Sequence, residues 1–241
     1  MRLDEFVDIH AHLLPGFDDG PATLAESLEL ARCYAGAGIG TVFATPHYLP
    51  GTAWAAGPEK TLAATAGLRK ALSGAGIALR VFCGMEIAIT RQMGKNLDKG
   101  LYLPLGNSSF YLLEPPLEPV SFDVFAAFND FIERRKGVIL AHPERCAIFQ
   151  KSPDRLRELH ARGIGLQVNL GSFLGRFGRR PQRLAMRLLE WGLVDYIASD
   201  AHNAGRRRPP DRAEWQRLEK IVGDETLALA ARDNPLRLAA E

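Results

Sequence analysis

Short apolar segments alternate with amphipathic helical segments along the chain, and this alternation constrains the fold more than any other feature. Seven apolar runs are predicted to be buried strands, at residues 6–9, 41–45, 78–83, 110–113, 137–141, 165–168 and 194–198. Helical patterns lie between most of them, at residues 24–35, 59–73, 122–135, 153–161 and 181–191. The first helical pattern follows a capping box, Thr23-x-x-Glu26. Strands that alternate with helices imply a parallel sheet with right-handed crossover connections.

Seven strand–helix units in a chain of 241 residues suit a closed or nearly closed barrel. A doubly wound open sheet is the competing α/β architecture. No linker-like or low-complexity stretch separates the units, and we therefore predict one domain over residues 1–241. With 46% hydrophobic residues, the chain can bury a substantial core.

A polar residue lies at the carboxyl end of each predicted strand. The carboxyl ends of parallel barrel strands converge on one rim, where the following loops assemble active sites. We therefore expect these residues, although distant in sequence, to line one cleft. They are His10, His47, Glu86, Glu114, His142, Asn169 and Asp200.

Histidines and carboxylates at this rim predict a metal site. Five of the six histidines fall at or just after a predicted strand end, and His160 is the exception. His10 and His12 share one side of the chain because side chains of a strand alternate with period two. Asp200 and His202 repeat that spacing at the last strand. Imidazoles beside carboxylates suit Zn, Mn or Fe.

The supply of predicted ligands exceeds the needs of one ion. Glu86 can bridge two ions through its two oxygens, and Asp18 and Asp19 add carboxylates in the loop after the first strand. We therefore expect two or three ions. A multinuclear site can stabilise both the attacking and the leaving oxygen of a phosphoryl transfer and supply hydroxide near neutral pH.

Arg145 follows His142 by three residues and predicts a phosphate-binding guanidinium beside the metals. A salt bridge to Glu144 or to a neighbouring carboxylate is the alternative. The arginines at residues 176–183 and 206–208 form either a solvated surface or an anion-binding surface. Motifs for other nucleophiles are absent from the sequence: no cysteine precedes an arginine by six residues, and there is no Gly-x-Ser-x-Gly motif or Walker-type loop.

Charge and targeting features favour a cytoplasmic protein. The formal net charge of +2 gives no polyanion-binding signature, and three widely spaced cysteines do not suggest a disulfide framework. The first motif is reached by residue 10, so we expect no signal peptide, and no apolar run reaches the roughly 20 residues of a membrane-spanning helix. We expect neither nucleic-acid binding nor stable membrane insertion, and the oligomeric state stays open.

An ordered set of motifs resembles the polymerase and histidinol phosphatase (PHP) superfamily, and within it the bacterial capsule and exopolysaccharide tyrosine-protein phosphatases. The similarity runs in order from about residue 7 to about residue 240. The motifs are Asp8-Ile-His-Ala-His12, Asp18-Asp-Gly-Pro21, Ala44-Thr-Pro-His47, Gly84-Met-Glu86, Ala141-His-Pro-Glu-Arg145, Gln167-Val-Asn169, Ala198-Ser-Asp-Ala-His-Asn203 and Asp233-Asn-Pro235.

The resemblance implies a distorted (β/α)7 TIM-like barrel of the PHP type, an α/β fold that forms a single metallophosphatase domain over residues 1–241. It also implies three divalent ions, usually manganese, with iron or zinc as alternatives. The implied ligands, carried over by position, fall into three sets: His10, His12, Glu86 and Asp200; then His47, Glu114 and His142 with Glu86 bridging; then Asp19 and His202 around the third ion.

The implied reaction is hydrolysis of phosphotyrosine on the tail of a membrane-associated bacterial tyrosine autokinase that controls capsule or exopolysaccharide synthesis. A metal-bridging hydroxide would attack phosphorus in line, while Arg145 and Arg208 bind the phosphate. The register of Arg208 among three adjacent arginines stays open. Asp200 and His202 are candidates for a general acid, although a phenolate leaving group makes modest demand for one.

The loop at residues 49–57, after His47, departs from the family pattern because it is apolar and nearly chargeless. It either provides an aromatic platform at Trp54 or packs against the barrel. Three other functions remain as alternatives: a small-molecule phosphomonoesterase of the histidinol-phosphate type, a nuclease of the PHP superfamily, and a non-catalytic metal-stabilised binding module.

Overall fold

The computed structural model describes residues 1–118 and 120–239, and the strands within these ranges pair in parallel. The strand segments are β1 Val7–Ala11, β2 Thr41–Ala44, β3 His47–Tyr48, β4 Arg80–Cys83, β5 Glu86–Ala88, β6 Phe110–Glu114, β7 Gly137–Ala141, β8 Gly165–Asn169 and β9 Tyr196–Ala198.

Two of the seven barrel strands are interrupted, which is why the strands comprise more than seven segments. β2 continues into β3, and β4 continues into β5. Backbone hydrogen bonds cross the interruptions, from Gly84 N to Ala44 O and from Glu86 N to Pro46 O, both at 3.0 Å. Pro46 has no N–H to donate, and a Cβ on Gly84 would lie 2.8 Å from Leu105 Cδ2. These local constraints bend the strands without ending the sheet.

The sheet closes on itself. Pairing runs in the order β1-β2-β4 and β3-β5-β6-β7-β8-β9, and the segment directly after β9 forms backbone hydrogen bonds with the end of β1. His12 N donates to Ala201 O at 2.8 Å, and Asp200 N donates to His10 O at 3.0 Å. The predicted distorted (β/α)7 barrel is therefore confirmed, and the open-sheet alternative is wrong.

The α-helices of the described ranges pack around this barrel, and α11 also contributes to its interior. They are α1 Leu24–Ala37, α2 Pro58–Gly74, α3 Met93–Asp98, α4 Ala126–Glu133, α5 Ala147–Lys151, α6 Asp154–Ala161, α7 Leu170–Phe173, α8 Arg179–Glu190, α9 Arg212–Val222, α10 Asp224–Ala228 and α11 Asn234–Ala239, with a π-helical turn at Leu229–Asp233 and 3₁₀ turns at Leu3–Glu5 and Pro143–Arg145. None of them combines the length and apolarity needed to cross a membrane.

Helix α1 begins where the capping box predicts, because Thr23 Oγ1 accepts a hydrogen bond from Glu26 N at 3.3 Å. Helix α4 begins later than predicted, at Ala126 rather than near residue 122. Asp123 Oδ1 accepts a hydrogen bond from Phe125 N at 2.8 Å, a turn that competes with helix formation at those residues.

Apolar side chains fill both faces of the sheet. Leu112 and Ile139 belong to a smaller cluster inside the barrel, and Leu238 of α11 lies in the same cluster. Their strand neighbours Leu113 and Leu140 belong to the larger cluster shared with the surrounding helices. This alternation buries the sheet on two faces and leaves the carboxyl rim as the polar end of the barrel.

The register of β1 shifts between Asp8 and Ala11, so that Asp8 and His10 face different surroundings. Asp8 is fully buried and accepts hydrogen bonds from Tyr34 OH of α1 at 2.8 Å and from Ser199 N at 3.0 Å. His10 instead faces the rim. Asp8 thus ties β1 to α1 and to the segment after β9, close to the point where the barrel closes.

Candidate metal centre

The predicted rim residues gather into one cluster at the carboxyl ends of the strands. Five lie on strands or directly after them: His10 on β1, His47 on β3, Glu86 on β5, Glu114 on β6 and His142 after β7. The loops after β1 and β9 add four more, which are His12, Asp19, Asp200 and His202. The structure therefore brings together every residue predicted as a metal ligand.

Glu86 occupies the middle of the cluster and is fully buried. Its Oε1 lies 2.8 Å from His142 Nε2 and 3.2 Å from His10 Nε2. Its Oε2 lies 2.9 Å from His47 Nδ1 and 3.2 Å from His12 Nε2. One carboxylate thus faces four imidazoles, two on each oxygen, which is the arrangement expected of a bridging ligand.

Asp200 presents its two oxygens to different neighbours. Oδ1 lies 3.7 Å from His10 Nε2 and 3.5 Å from His12 Nε2. Oδ2 instead accepts hydrogen bonds from Asn169 Nδ2 and Arg207 Nη2, both at 2.9 Å, and also from Arg145. The side chain therefore joins the histidine cluster to a pair of arginines.

The outer edge of the cluster is formed by Asp19, which is 42% exposed. Its Oδ1 lies 3.2 Å from His202 Nε2 and 3.6 Å from His47 Nε2. On the opposite side, Glu114 Oε2 lies 3.5 Å from His47 Nδ1. His47 is thus within reach of both the outer carboxylate and the inner ones.

Four overlapping groups offer ligand atoms that all lie within 4.8 Å of one another: His12, Asp19, His47 and His202; His10, Glu86 and His142; His10, His12 and Asp200; His47, Glu86 and Glu114. Three residues of the predicted first set, His10, His12 and Asp200, form one group, and Glu86 joins His10 in another. The predicted second set is divided, because His142 groups with His10 and Glu86, whereas Glu114 groups with His47 and Glu86. Asp19 and His202 of the predicted third set group together with His12 and His47.

Unpartnered buried atoms indicate that the cluster fits metal ions. Within the described residues, five buried side-chain atoms of the cluster have no hydrogen-bond partner: His10 Nε2, His12 Nε2, Glu86 Oε2, His142 Nδ1 and His202 Nε2. Buried polar atoms without a partner are rare in native proteins and call for an explanation such as an ion. Nitrogen and oxygen donors of this kind suit Zn, Mn or Fe.

The charges in the cluster also favour a bound cation. Burial opposes the charge of Glu86, but the neighbouring imidazoles hold the pKa of its carboxyl well below its usual value. Burial raises the pKa of Glu114 to about 8, and the negative charge of Glu86 adds to this shift. Burial lowers the pKa of His142 to about 4, so its imidazole is neutral, the form that binds metals.

Hydrogen bonds from outside the cluster orient two of the imidazoles. His10 Nδ1 lies 3.0 Å from Gln167 Oε1, and His12 Nδ1 lies 2.7 Å from Asp18 Oδ2. Each contact turns the Nε2 atom of the ring toward the cluster, as partners of metal-bound histidines commonly do. Asp18 and Asp19 lie in the same loop, and the family resemblance implied Asp19 as the ligand. In the structure Asp18 orients a ring and Asp19 faces the site. Gln167 was missed in this role, although it precedes Asn169 by two residues on the same strand.

Two residues of the cluster have strained backbones. His142 has φ of 30° and Asp200 has φ of 54°, a region that residues other than glycine seldom adopt. Such conformations cost about 1–3 kcal/mol each and persist where the surrounding structure fixes them, most often at functional sites. The strain directs both side chains into the rim.

Arg145 pairs with a carboxylate, as the alternative interpretation of this residue predicted, but the partner is Asp200 rather than Glu144. Glu144 is fully buried and accepts hydrogen bonds from Ser172 Oγ at 2.6 Å and Asn169 N at 3.1 Å. Burial raises the pKa of its carboxyl to about 7. Arg145 therefore pairs with Asp200 of the cluster rather than with Glu144, its neighbour in the sequence.

Arg207, and not Arg208, lies at the cluster. Arg208 pairs with Asp211 at 2.8 Å and with Glu214 at 3.0 Å, at the start of α9. Arg207 contacts Asp200 at 2.9 Å. Of the three adjacent arginines, the one that contacts the cluster is therefore Arg207, one residue before the Arg208 that the resemblance implied.

Comparison with known proteins agrees with this site. Residues 6–240 match the family described as capsular polysaccharide synthesis, CpsB/CapC. The chain is similar to the tyrosine-protein phosphatase YwqE of Bacillus subtilis (strain 168), with 34% identity over 219 residues, 91% of this chain and 86% of YwqE. It is also similar to the tyrosine-protein phosphatase CpsB of Streptococcus agalactiae serotype V, with 28% identity over 218 residues and 88% of each chain.

A solved structure supports the same relationship. It comes from crystal structures of YwqE from Bacillus subtilis and CpsB from Streptococcus pneumoniae, described as unique metal-dependent tyrosine phosphatases. It aligns with 97% of this chain and 94% of the solved one, at 33% identity and a TM-score of 0.88. The fold, the ordered motifs and these matches together show that the chain belongs to the CpsB/CapC family of capsular polysaccharide synthesis.

Proposed function

We propose that this protein is a metal-dependent protein-tyrosine phosphatase whose substrate is the phosphorylated tail of a bacterial tyrosine kinase that regulates capsule or exopolysaccharide synthesis. The observation that carries the proposal is the position of two guanidinium groups beside the metal centre. Arg145 and Arg207 both contact Oδ2 of Asp200, whose Oδ1 faces the histidines. A phosphoryl group at this junction would meet positive charge from the arginines and the ions alike.

Three divalent ions fit the proposed centre, and manganese is our expectation for their identity, with iron or zinc as alternatives. Ions held by these ligands would supply a nucleophile from water near neutral pH and neutralise charge on the phosphoryl oxygens. We propose Glu86 as the bridging ligand because it contacts four imidazoles. The other proposed ligands are His10, His12, Asp19, His47, Glu114, His142, Asp200 and His202.

The side chains around the ions bind and orient the substrate. Arg145 and Arg207 donate hydrogen bonds to phosphate oxygens, and a guanidinium can do so with two nitrogens at once. Burial lowers the pKa of His202, which favours a neutral imidazole and a ligand role. A phenolate leaves without strong assistance, so the chemistry does not require a dedicated acid.

The relatives support the choice of substrate, since YwqE and CpsB are both named tyrosine-protein phosphatases. A flexible kinase tail suits an active site on an open barrel rim. We further propose that residues 1–241 form one domain and that the protein acts in the cytoplasm at a membrane-associated kinase. Apolar residues of β1 and α11 share the cluster inside the barrel, which supports the single domain.

Turnover of a phosphotyrosyl peptide by the purified protein, measured together with its metal content, tests this function. We expect hydrolysis that a chelator abolishes and Mn²⁺ restores, while the far-ultraviolet circular dichroism of the stripped protein stays that of a folded barrel. A strong preference for histidinol phosphate would overturn the substrate assignment. Release of nucleotides from single-stranded DNA at a comparable rate would indicate a nuclease instead.

The alternative of a binding module makes a different prediction. It requires that metal removal unfolds the protein and that restored metal brings back no hydrolysis. A His10→Ala variant separates the two possibilities, since we expect it to lose turnover of the phosphotyrosyl peptide and keep its fold.

A further inference from the structure

We propose that a cavity next to the metal centre, with Trp54 in its wall, binds the aromatic ring of the substrate. Trp54 would then determine specificity for aryl over alkyl phosphate esters. This inference rests on the proposed phosphatase function of the neighbouring site. It decides the role of the apolar loop at residues 49–57, for which the sequence left an aromatic platform and simple packing as alternatives.

The cavity has the size and the chemistry of an aryl site. Its volume is about 500 Å³. A cavity of roughly 150 Å³ already holds benzene, so a phenyl ring fits here with room for the peptide that carries it. The walls described in the structure are mainly apolar, from Leu49, Trp54, Ile89, Pro115 and Leu117. Such a surface favours the aromatic ring of an aryl ester over the smaller or more polar substituent of an alkyl ester.

The cavity is continuous with the metal centre. His47 and Glu114 are proposed metal ligands, and both also line the cavity. A phosphate held at the centre can therefore direct its ester substituent into the cavity. Elsewhere around the centre the substituent would meet charged groups, since Asp19, Arg145 and Arg207 lie there. An aryl group finds its apolar surroundings on the Trp54 side.

Trp54 is fixed in place before any substrate binds. Its indole stacks on the imidazole of His47, with ring centroids 5.3 Å apart and planes 8° from parallel. Leu49 N donates to Trp54 O at 2.9 Å, and Trp54 N donates to Thr52 Oγ1 at 3.1 Å. Because the loop is ordered by these bonds, little conformational entropy is lost when a ring packs against it. The side chain still remains 36% exposed.

Phe177 is an aromatic side chain beside Arg145, and it already contacts that arginine. The guanidinium carbon of Arg145 lies 4.5 Å from the centroid of its ring. The cation covers one face of that ring, and Phe177 is not among the residues that line the apolar cavity. The Trp54 cavity is therefore the aryl site that the geometry favours.

The inhibition constants of phenylphosphonate and methylphosphonate test the inference in the metal-loaded enzyme. Both carry the same charged head and neither has a leaving group, so their ratio reports the contribution of the ring alone. We expect Trp54→Ala to weaken phenylphosphonate about tenfold, the scale of one lost aromatic contact and its buried area, and to leave methylphosphonate unchanged. Trp54→Phe should keep most of the affinity for phenylphosphonate.

Two further variants keep the test decisive. Leu117→Ala removes apolar surface from the same cavity, and we expect it to weaken phenylphosphonate selectively even if Trp54→Ala perturbs the fold. Its backbone is anchored by a hydrogen bond from Ala147 N at 3.0 Å. Trp191→Ala is the matched control, because Trp191 is half-buried and packs against Arg157 and Arg187 outside the cavity. We expect Trp191→Ala to change neither inhibition constant.

Equal inhibition constants of phenylphosphonate in Trp54→Ala and the unaltered protein would overturn the aryl site. An equal loss for both phosphonates would also overturn it, because the unchanged ratio would show that Trp54 contributes nothing to binding of the ring. The proposed function itself would be contradicted if the unaltered, metal-loaded protein hydrolysed neither a phosphotyrosyl peptide nor an alkyl phosphate. The two failures are therefore distinguishable.

Discussion

Arg145 donates a hydrogen bond from Nη1 to Oδ2 of Asp200 across 2.5 Å, which joins the turn after β7 to the segment after β9. Asp200 is 2% exposed, whereas the Arg145 side chain is 17% exposed. The pair therefore holds a guanidinium at the solvent side of a buried carboxylate. A phosphoryl group entering from solvent would meet the arginine before it meets the ligands.

Arg145→Ala should weaken phosphate binding. Hydrogen bonds to charged groups contribute about 1.5–3 kcal/mol, so we expect the inhibition constant of inorganic phosphate to rise roughly 10- to 100-fold. Arg145→Lys keeps the positive charge and should recover part of the lost phosphate affinity. It should not recover all of it, because an ammonium group cannot make the two-nitrogen contact of a guanidinium. Arg208→Ala is the control, since Arg208 pairs with Asp211 and Glu214. Unchanged phosphate inhibition in Arg145→Ala would contradict the assignment.

Glu86→Gln should remove metal and activity together. The amide keeps the shape of the side chain but loses the charge that faces four imidazoles. Substitution of a residue that only orients a metal ligand already costs about 10- to 100-fold in metal affinity or activity, so we expect at least about 100-fold lower turnover of a phosphotyrosyl peptide. Elemental analysis should show at least one ion fewer per chain. Glu190→Gln, at the exposed end of α8, should retain metal and turnover. Full metal content in Glu86→Gln would argue against a bridging role.

Tyr34→Phe should destabilise the barrel without changing the metal centre. Tyr34 OH donates to buried Asp8 at 2.8 Å, and its loss leaves a buried carboxylate oxygen with one donor fewer. We expect a loss of about 1–3 kcal/mol in the free energy of unfolding, measured by urea titration. Tyr111→Phe is the matched control, because the structure records no hydrogen bond from the Tyr111 hydroxyl to a described residue. Equal stability of the two variants would show that the Asp8 contact contributes little.

Alkaline pH should destabilise the protein through Tyr102. Burial raises the pKa of Tyr102 to about 12, whereas an unfolded tyrosine titrates near 10. Between these values the folded state binds more protons than the unfolded state, so the free energy of unfolding falls as pH rises from about 10 to 12. Tyr102→Phe should make this fall shallower in urea titrations at several pH values. Tyr196, whose pKa is also raised to about 12 by burial, should account for part of the remaining slope. An identical slope in Tyr102→Phe would disprove the assignment.

Much of the site followed from the position of residues along the chain. His10, His47, Glu86, Glu114 and His142 were placed at one rim because parallel strands align their carboxyl ends. The pairing of His10 with His12 followed from the alternation of side chains, and their rings do lie close, with centroids 5.5 Å apart. These predictions needed only the strand pattern and the direction of the strands.

Other features depended on contacts that no local pattern encodes. The position of Asp18 and Asp19 in one loop did not distinguish them, and only the family resemblance implied Asp19 as the ligand. The contacts that distinguish them depend on where His12 and His202 lie. It placed a phosphate-binding role at Arg208, and the turn after β9 presents Arg207 instead. The interruption of two strands was also missed.

The sequence by itself determined the alternation of strands and helices, the parallel direction of the sheet and the set of side chains at its rim, because these depend on periodicity and strand direction. The tertiary structure alone decided how the barrel closes through Asp200 and His10, and which carboxylate orients a ring rather than facing the cluster. It also placed Trp54 against His47, at the edge of an apolar cavity. The physical reason is that these outcomes depend on distances between residues far apart in the chain. Those distances are fixed only in the folded barrel, where the interruptions of two strands and the strained backbone at the rim set the direction of each side chain.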